Sequence, residues 1–133
     1  MNEVVVDGGP LTVEDVVAVA RGEVRVRLAA DVAERMEVSR SVVLNAIRGD
    51  APVYGVNTGF GALADTPVGE QDLTTLQGAI VRSHAAAVGA PLDDEVVRAL
   101  LMLRARTLAA GTRACGSSCP RGCSSCWNWA CCR

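Results

Sequence analysis

A chain of 133 residues, 50% of them hydrophobic, is long enough to bury one core and has the composition of an ordinary globular domain. Its formal charge of −2 comes from 13 arginines, no lysine and 15 acidic residues without a basic cluster, which leaves no electrostatic footprint for nucleic acid or an anionic membrane. No apolar run approaches the ~18–20 residues that cross a bilayer, and MNEVVVDGGP lacks the basic and apolar regions of a signal peptide, so a cytoplasmic chain with soluble partners or small substrates is expected.

In chain order, Thr12 is placed to cap a helix running to about Arg21, with Glu14 and Asp15 in the first turn beside the exposed amides. Glu23 to Leu28, EVRVRL, alternates polar and apolar residues and fits either a short strand or an extended linker. From Asp31 to Arg48, Val32, Met36, Val43 and Ile47 recur at helical spacing, and Gly49 supplies a stop. A glycine-studded loop follows, PVYGVNTGFGAL from Pro52 to Leu63. Gln71 to Val88 then carries Leu73, Leu76, Ile80 and Val81 on one stripe and predicts a second amphipathic helix ending at Gly89. Pro91 opens the next unit, with Asp93 or Asp94 at the cap and a stripe from Val96 to Leu108 assigned to the core, until Gly111. The expected fold class is mainly α, with no internal repeat and no parallel-sheet alternation.

At Thr112 the character changes. Residues 112 to 133 hold all six cysteines and both tryptophans, with no acid and no periodicity. A tetrahedral zinc site wants paired C-x2-4-C knuckles, and only Cys123 and Cys126 match that spacing closely. A disulfide framework needs an oxidising compartment to which nothing here directs the chain. The genetic code offers a third reading. If Gly111 to Gly116 is written GGC ACT CGG GCG TGC GG and one base is restored after the first GG, the frame becomes Gly-His-Ser-Gly-Val-Arg. The same shift turns Trp127, Asn128, Trp129, Ala130 and Cys132 into Leu, Glu, Leu, Gly and Leu whatever codons were used. With GC-rich codons the end becomes helix-like, closing on Gly and Pro. Residues 112–133 are therefore read as an out-of-frame tail with accidental cysteines and no metal, and a small Cys-rich metal-binding protein is the alternative.

The groups able to do chemistry lie in Tyr54-Gly55-Val56-Asn57-Thr58-Gly59-Phe60-Gly61 and in the helix from Leu76-Gln77 to Arg82-Ser83-His84. Glycines let backbone approach a ligand closely, and Gln77 and His84 share a helix face. Taken singly, Tyr54 reads as a loop aromatic and His84 as a surface or satisfied core histidine. On the residues alone those readings stand; it is the joint occurrence of loop and helix motifs, as a family resemblance, that makes them a site.

YGVNTGFG followed by LQxxxxRSHAAxVGxPL resembles the N-terminal region of the aromatic amino acid ammonia-lyases, over about Leu11 to Gly111. The resemblance implies the N-terminal portion, truncated, of a mainly α, fumarase/aspartase-like homotetramer, with residues 1–111 belonging to the lyase domain. It implies non-oxidative deamination, with a 4-methylideneimidazol-5-one ring formed from an internal Ala-Ser-Gly as electron sink. By the same resemblance Tyr54 is the catalytic base, His84 the substrate-selecting residue, and Asn57 and Gly61 help bind substrate. The Ser83-His84 pair looks like the histidine-specific branch, which turns L-histidine into trans-urocanate and ammonia, whereas phenylalanine-selective relatives place Phe-Leu here and tyrosine-selective ones His-Leu. A related lyase or aminomutase acting on another aromatic substrate is the alternative. Because Ala-Ser-Gly is absent from the 133 residues, the chain is expected to be inactive alone, and its unpartnered apolar stripes are expected to favour association or a molten state.

Overall fold

The computed structural model describes residues 3–111. In order, these form strand β1 (Glu3–Val6), helix α1 (Val13–Ala20), strand β2 (Arg25–Leu28), and helices α2 (Val32–Arg48), α3 (Glu70–His84) and α4 (Asp94–Ala109), with a short 3-10 turn at Gly61–Leu63. Helices dominate, as the sequence led one to expect. Residues 3–41 and 91–111 make one unit and 42–90 a second. The cysteine-bearing segment and its proposed frame change lie outside the described residues.

In the first unit, Thr12 caps α1 as its position suggested. The Asp15 amide donates to Thr12 Oγ1 at 3.1 Å while the Thr12 amide donates to Asp15 Oδ2 at 3.1 Å, so two otherwise orphaned donors are satisfied reciprocally. The EVRVRL segment resolves as a strand. β2 pairs in parallel with β1, Val4 opposite Val26 and Val6 opposite Leu28. This corrects the expectation of no parallel pairing, which failed because an acid followed by three consecutive valines shows no period-2 alternation. Parallel strands need a crossover connection, and α1 supplies it.

Val6, Val19, Val32, Met36, Met102 and Ala109 form one buried cluster, joining β1, α1, α2 and α4. Full removal of a methionine or valine side chain from water stabilises by about 1.5–3 kcal/mol, so this cluster is the main cohesive term of the unit. Arginines tie the loops around it to the helices. Arg98 Nε donates to the Ala20 carbonyl at the end of α1 (2.5 Å), Arg106 Nε to the Gly9 carbonyl (2.7 Å), and Arg35 Nη2 to the Asp7 carbonyl (2.5 Å). The α1 carbonyl so capped would otherwise have no partner inside its own helix.

Two helix assignments need correction. α3 stops at His84, short of Gly89. Ser83 Oγ and His84 Nδ1 both bond the Ile80 carbonyl, the kind of local side-chain competition that weakens a helical ladder at its end. α4 buries Met102, Ala105, Leu108 and Ala109, while Val96, Leu100 and Leu103 of the expected core stripe stay exposed at 44%, 54% and 45%. The buried side of α4, which packs with α1 and β1, mixes the long Met102 and Leu108 with the small Ala105 and Ala109.

Met102→Ala is expected to lower stability by about 2–5 kcal/mol, read as a fall in the urea midpoint at unchanged slope. Leu100→Ala, at a 54% exposed position of the same helix, should stay within about 0.5 kcal/mol. Equal effects would contradict the assignment of the buried face.

Candidate active site

In the second unit the glycine loop is closed on itself. Thr58 and Pro67 form an isolated antiparallel bridge, with the Gly59 amide donating to the Thr66 carbonyl at 3.0 Å and the Val68 amide to the Asn57 carbonyl at 2.9 Å. The Val56 and Asn57 amides both donate to the Val53 carbonyl, at 3.0 and 3.2 Å, and turn the chain just beyond Tyr54. Asn57 then locks the turn. Its Oδ1 accepts from the Val53 amide at 2.7 Å, and its Nδ2 donates to the carbonyls of Ala46 at 3.2 Å and Ala51 at 2.9 Å. One carboxamide thereby joins the end of α2, the chain leaving it and the residue before Tyr54.

Thr58 is the second lock. It is the only buried polar side chain among the described residues, 1% exposed, and its hydroxyl accepts from the Gly55 amide at 3.2 Å and donates to the Gly59 carbonyl at 3.2 Å. Gly55 has φ +70°, and a Cβ there would meet the Phe60 ring at 3.0 Å, so only glycine lets Phe60 close over this turn. Phe60 does close, meeting Tyr54 edge to face with ring centroids 5.6 Å apart and planes at 69°. Such a pair contributes about 0.5–1.5 kcal/mol beyond its buried area and fixes the Tyr54 ring orientation. Tyr54 itself remains 63% exposed. A phenol held by one ring contact and open to solvent is accessible to a ligand without searching many rotamers.

Gly61 follows Phe60 at φ +55° and begins the short 3-10 turn, with nothing within 4 Å of where its Cβ would stand. Its requirement is conformational, not steric. His84 lies in the same unit on the last turn of α3, exposed, with Nδ1 2.9 Å from the Ile80 carbonyl oxygen and 3.0 Å from Ser83 Oγ. Tyr54, Asn57 and Gly61 are thus brought into one loop. Among the described residues no hydrogen bond or ring contact joins His84 to that loop, and Gln77 is exposed about two turns earlier on the same face of α3. Ser83 entered the sequence reading through the Ser83-His84 pair, and Thr58 only as a hydroxyl within the loop motif; the structure adds the partners of each, the Gly55 amide and Gly59 carbonyl for Thr58 and the Ile80 carbonyl and His84 ring for Ser83.

Among the described residues no group of three or more His, Cys, Asp or Glu is arranged to hold a metal ion. The ring cofactor implied by the resemblance is built from Ala-Ser-Gly, which the sequence does not contain, so the residues present do not supply that group. What they offer is a positioned phenol, an imidazole and a rigid backbone around the phenol.

The model of the aromatic amino acid lyase family matches residues 11–122, and the chain belongs to that family. It is 44% identical over 108 residues to histidine ammonia-lyase of Myxococcus xanthus, covering 81% of this chain and 21% of the relative. Among solved structures, the ergothioneine-degrading ergothionase of Treponema denticola superposes with a TM-score of 0.90 at 28% identity, covering 96% of this chain and 26% of that one. The tyrosine aminomutase of Streptomyces globisporus gives 0.87 at 32% identity, covering 95% and 24%. The chain spans about a fifth of the length of the curated relatives it matches.

Asn57→Ala removes three hydrogen bonds around the Val53–Ala51 turn. It should cost about 1–3 kcal/mol locally, seen as faster hydrogen exchange of the Val53 amide with little change at Val19 in the other unit. Asn57→Asp should be worse than Ala, because a carboxylate places oxygen where Nδ2 met two carbonyls. An Asp variant that protects Val53 as well as the wild type would contradict this geometry.

Proposed function

We propose that this chain carries the tyrosine-bearing N-terminal portion, residues 1–111, of a histidine ammonia-lyase lineage whose whole enzyme converts L-histidine to trans-urocanate and ammonia. The observation that carries the reading is the Tyr54 loop. A phenol paired with Phe60 stands on a turn locked by Asn57 and Thr58 and is 63% exposed. Histidine ammonia-lyases at more than 40% identity support the lineage.

Deamination across the Cα–Cβ bond has two demands: removal of a weakly acidic β-proton and departure of a poor amine leaving group. A base and an electron sink are both required. This chain's own residues answer the first. Tyr54 as phenolate accepts the β-proton, and the rigid loop holds its oxygen in place so that little reorganisation is needed at the moment of transfer. Asn57 and Gly61 shape the loop against substrate. His84 recognises the substrate's imidazole, and a site built to hydrogen-bond a ring nitrogen rejects substrates lacking it more strongly than an apolar pocket can. The sink, 4-methylideneimidazol-5-one in this family, has its Ala-Ser-Gly source outside these residues, so the chain alone does not turn over. Residues 112–133 are proposed to be read out of frame. The intact enzyme is proposed to be a cytoplasmic homotetramer acting on a small-molecule substrate, without nucleic acid or membrane.

The similarity to a tyrosine aminomutase and an ergothionase favours one further reading, a related lyase or aminomutase with a different substrate. The two readings share Tyr54 and differ in what meets His84.

Sequencing the encoding DNA across the Gly111 codon and beyond is the first test. A restorable frame followed by Ala-Ser-Gly is expected; a sound frame with no lyase sequence after it would defeat the proposal. In the restored full-length enzyme, Tyr54→Phe keeps the aromatic pair but removes the proton acceptor. It should lower kcat about 10²–10⁴-fold with KM little changed. Urocanate made by residues 1–133 alone, above a Tyr54→Phe control, would refute the inactivity of the isolated chain.

A further inference from the structure

We propose that Ser83 is a positioning residue that, together with the Ile80 carbonyl, holds His84 as its Nδ1–H tautomer and presents Nε2 as a hydrogen-bond acceptor. Nδ1 lies 2.9 Å from the Ile80 oxygen and 3.0 Å from Ser83 Oγ, and Ser83 Oγ lies 2.9 Å from the same carbonyl. A carbonyl oxygen can only accept. A bare Nδ1 at this distance would set two lone pairs against each other, whereas a protonated Nδ1 makes the contact an ordinary hydrogen bond. The Ser83 hydroxyl has one proton, which goes to the carbonyl, so its oxygen lone pairs face Nδ1–H as a second acceptor. The proton on Nδ1 leaves Nε2 bare in the neutral ring.

Among the described residues nothing hydrogen-bonds Nε2, and His84 is exposed at the end of α3. The ring therefore offers a ligand a lone pair and no donor. The ligand group that meets it must carry an N–H or O–H, which an imidazole does and an acceptor-only group such as a thioether or carboxylate does not. This polarity of the ligand rests on the histidine-lineage reading; the tautomer does not. Ser83 touches no ligand in this account. It acts through His84, by denying Nδ1 the acceptor role.

His84 is the chain's single histidine, so its two ring nitrogens give one unambiguous pair of 15N signals in the labelled full chain. At a pH where the ring is neutral, the wild type is expected to show a pyrrole-type shift at Nδ1 and a pyridine-type shift at Nε2. Ser83→Ala should move both signals toward the Nε2–H form that a free histidine side chain favours, and Ser83→Thr, which keeps the hydroxyl, should restore the wild-type pattern. Circular dichroism of the variants separates this from loss of α3, which a merely structural role would produce. Predominant Nε2–H in the wild type overturns the proposal, as does a Ser83→Ala spectrum identical to the wild type. A restored enzyme that ignores imidazole-bearing substrates while His84 remains Nδ1–H would overturn the functional reading and leave the positioning role standing.

Discussion

The carboxamide of Asn57 joins three backbone groups: the Val53 amide, the Ala51 carbonyl and, beside its bond from the Gly49 amide, the Ala46 carbonyl in the last turn of α2. Everything about the phenol's placement follows from that. With Val53 held, the turn beyond it closes, Gly55 takes its left-handed conformation, and Phe60 can fold back onto the space a Cβ would occupy. An asparagine suits this because it has donors on one side of the amide plane and an acceptor on the other. Aspartate, glutamine or serine would match the shape or the polarity but not both.

The other unit uses the same device with a different side chain. Arg35, Arg98 and Arg106 each direct a guanidinium N–H at a main-chain carbonyl of a loop or helix end. The Arg98 side chain is only 20% exposed, so its hydrogen bond acts in a partly desolvated setting while its stem packs along α4. In a chain that is 3% aromatic, few bulky rings are available to wedge loops into position. Directed hydrogen bonds from arginine and asparagine take over that task, and the flat, multi-donor guanidinium does it better than a lysine ammonium would.

The helices were legible because their signals are local. Thr12 with Asp15, the stripe from Val32 to Ile47 and Gly111 after α4 each act within a turn or two of the residue that shows them. β1 was not legible, since an acid followed by three consecutive valines carries no period, and its partner β2 lies beyond a whole helix. The site divides the same way. Tyr54, Gly61 and His84 stand in motifs long enough to be noticed. The burial of Thr58 depends on packing that spacing along a sequence does not encode, whereas the contacts of Ser83 and His84 with the Ile80 carbonyl lie within one turn of α3 and needed only the choice of side-chain rotamer to be fixed.

α4 carries apolar residues on two faces. Met102, Ala105 and Ala109 are covered within the unit, whereas Val96, Leu100 and Leu103, spaced four and three residues apart, lie on an open face. A helix apolar on most of its circumference is the kind found buried inside a larger helical fold. The ergothionase superposition covers 96% of this chain but 26% of that protein, so the relative has much additional structure beyond the matched part. On the lineage reading, further helices of the whole enzyme cover the Val96–Leu103 face, and in the isolated chain that face is a surface for association. The exposure of Tyr54 and His84 then has the same origin as the exposure of these leucines. On that reading a phenol acting as base and an imidazole recognising substrate belong in a cleft that excludes water, whereas Tyr54 and His84 are both exposed here. On the same reading, the structure that packs on the apolar stripe also desolvates these polar groups, so the packing and the electrostatics of the site have one source.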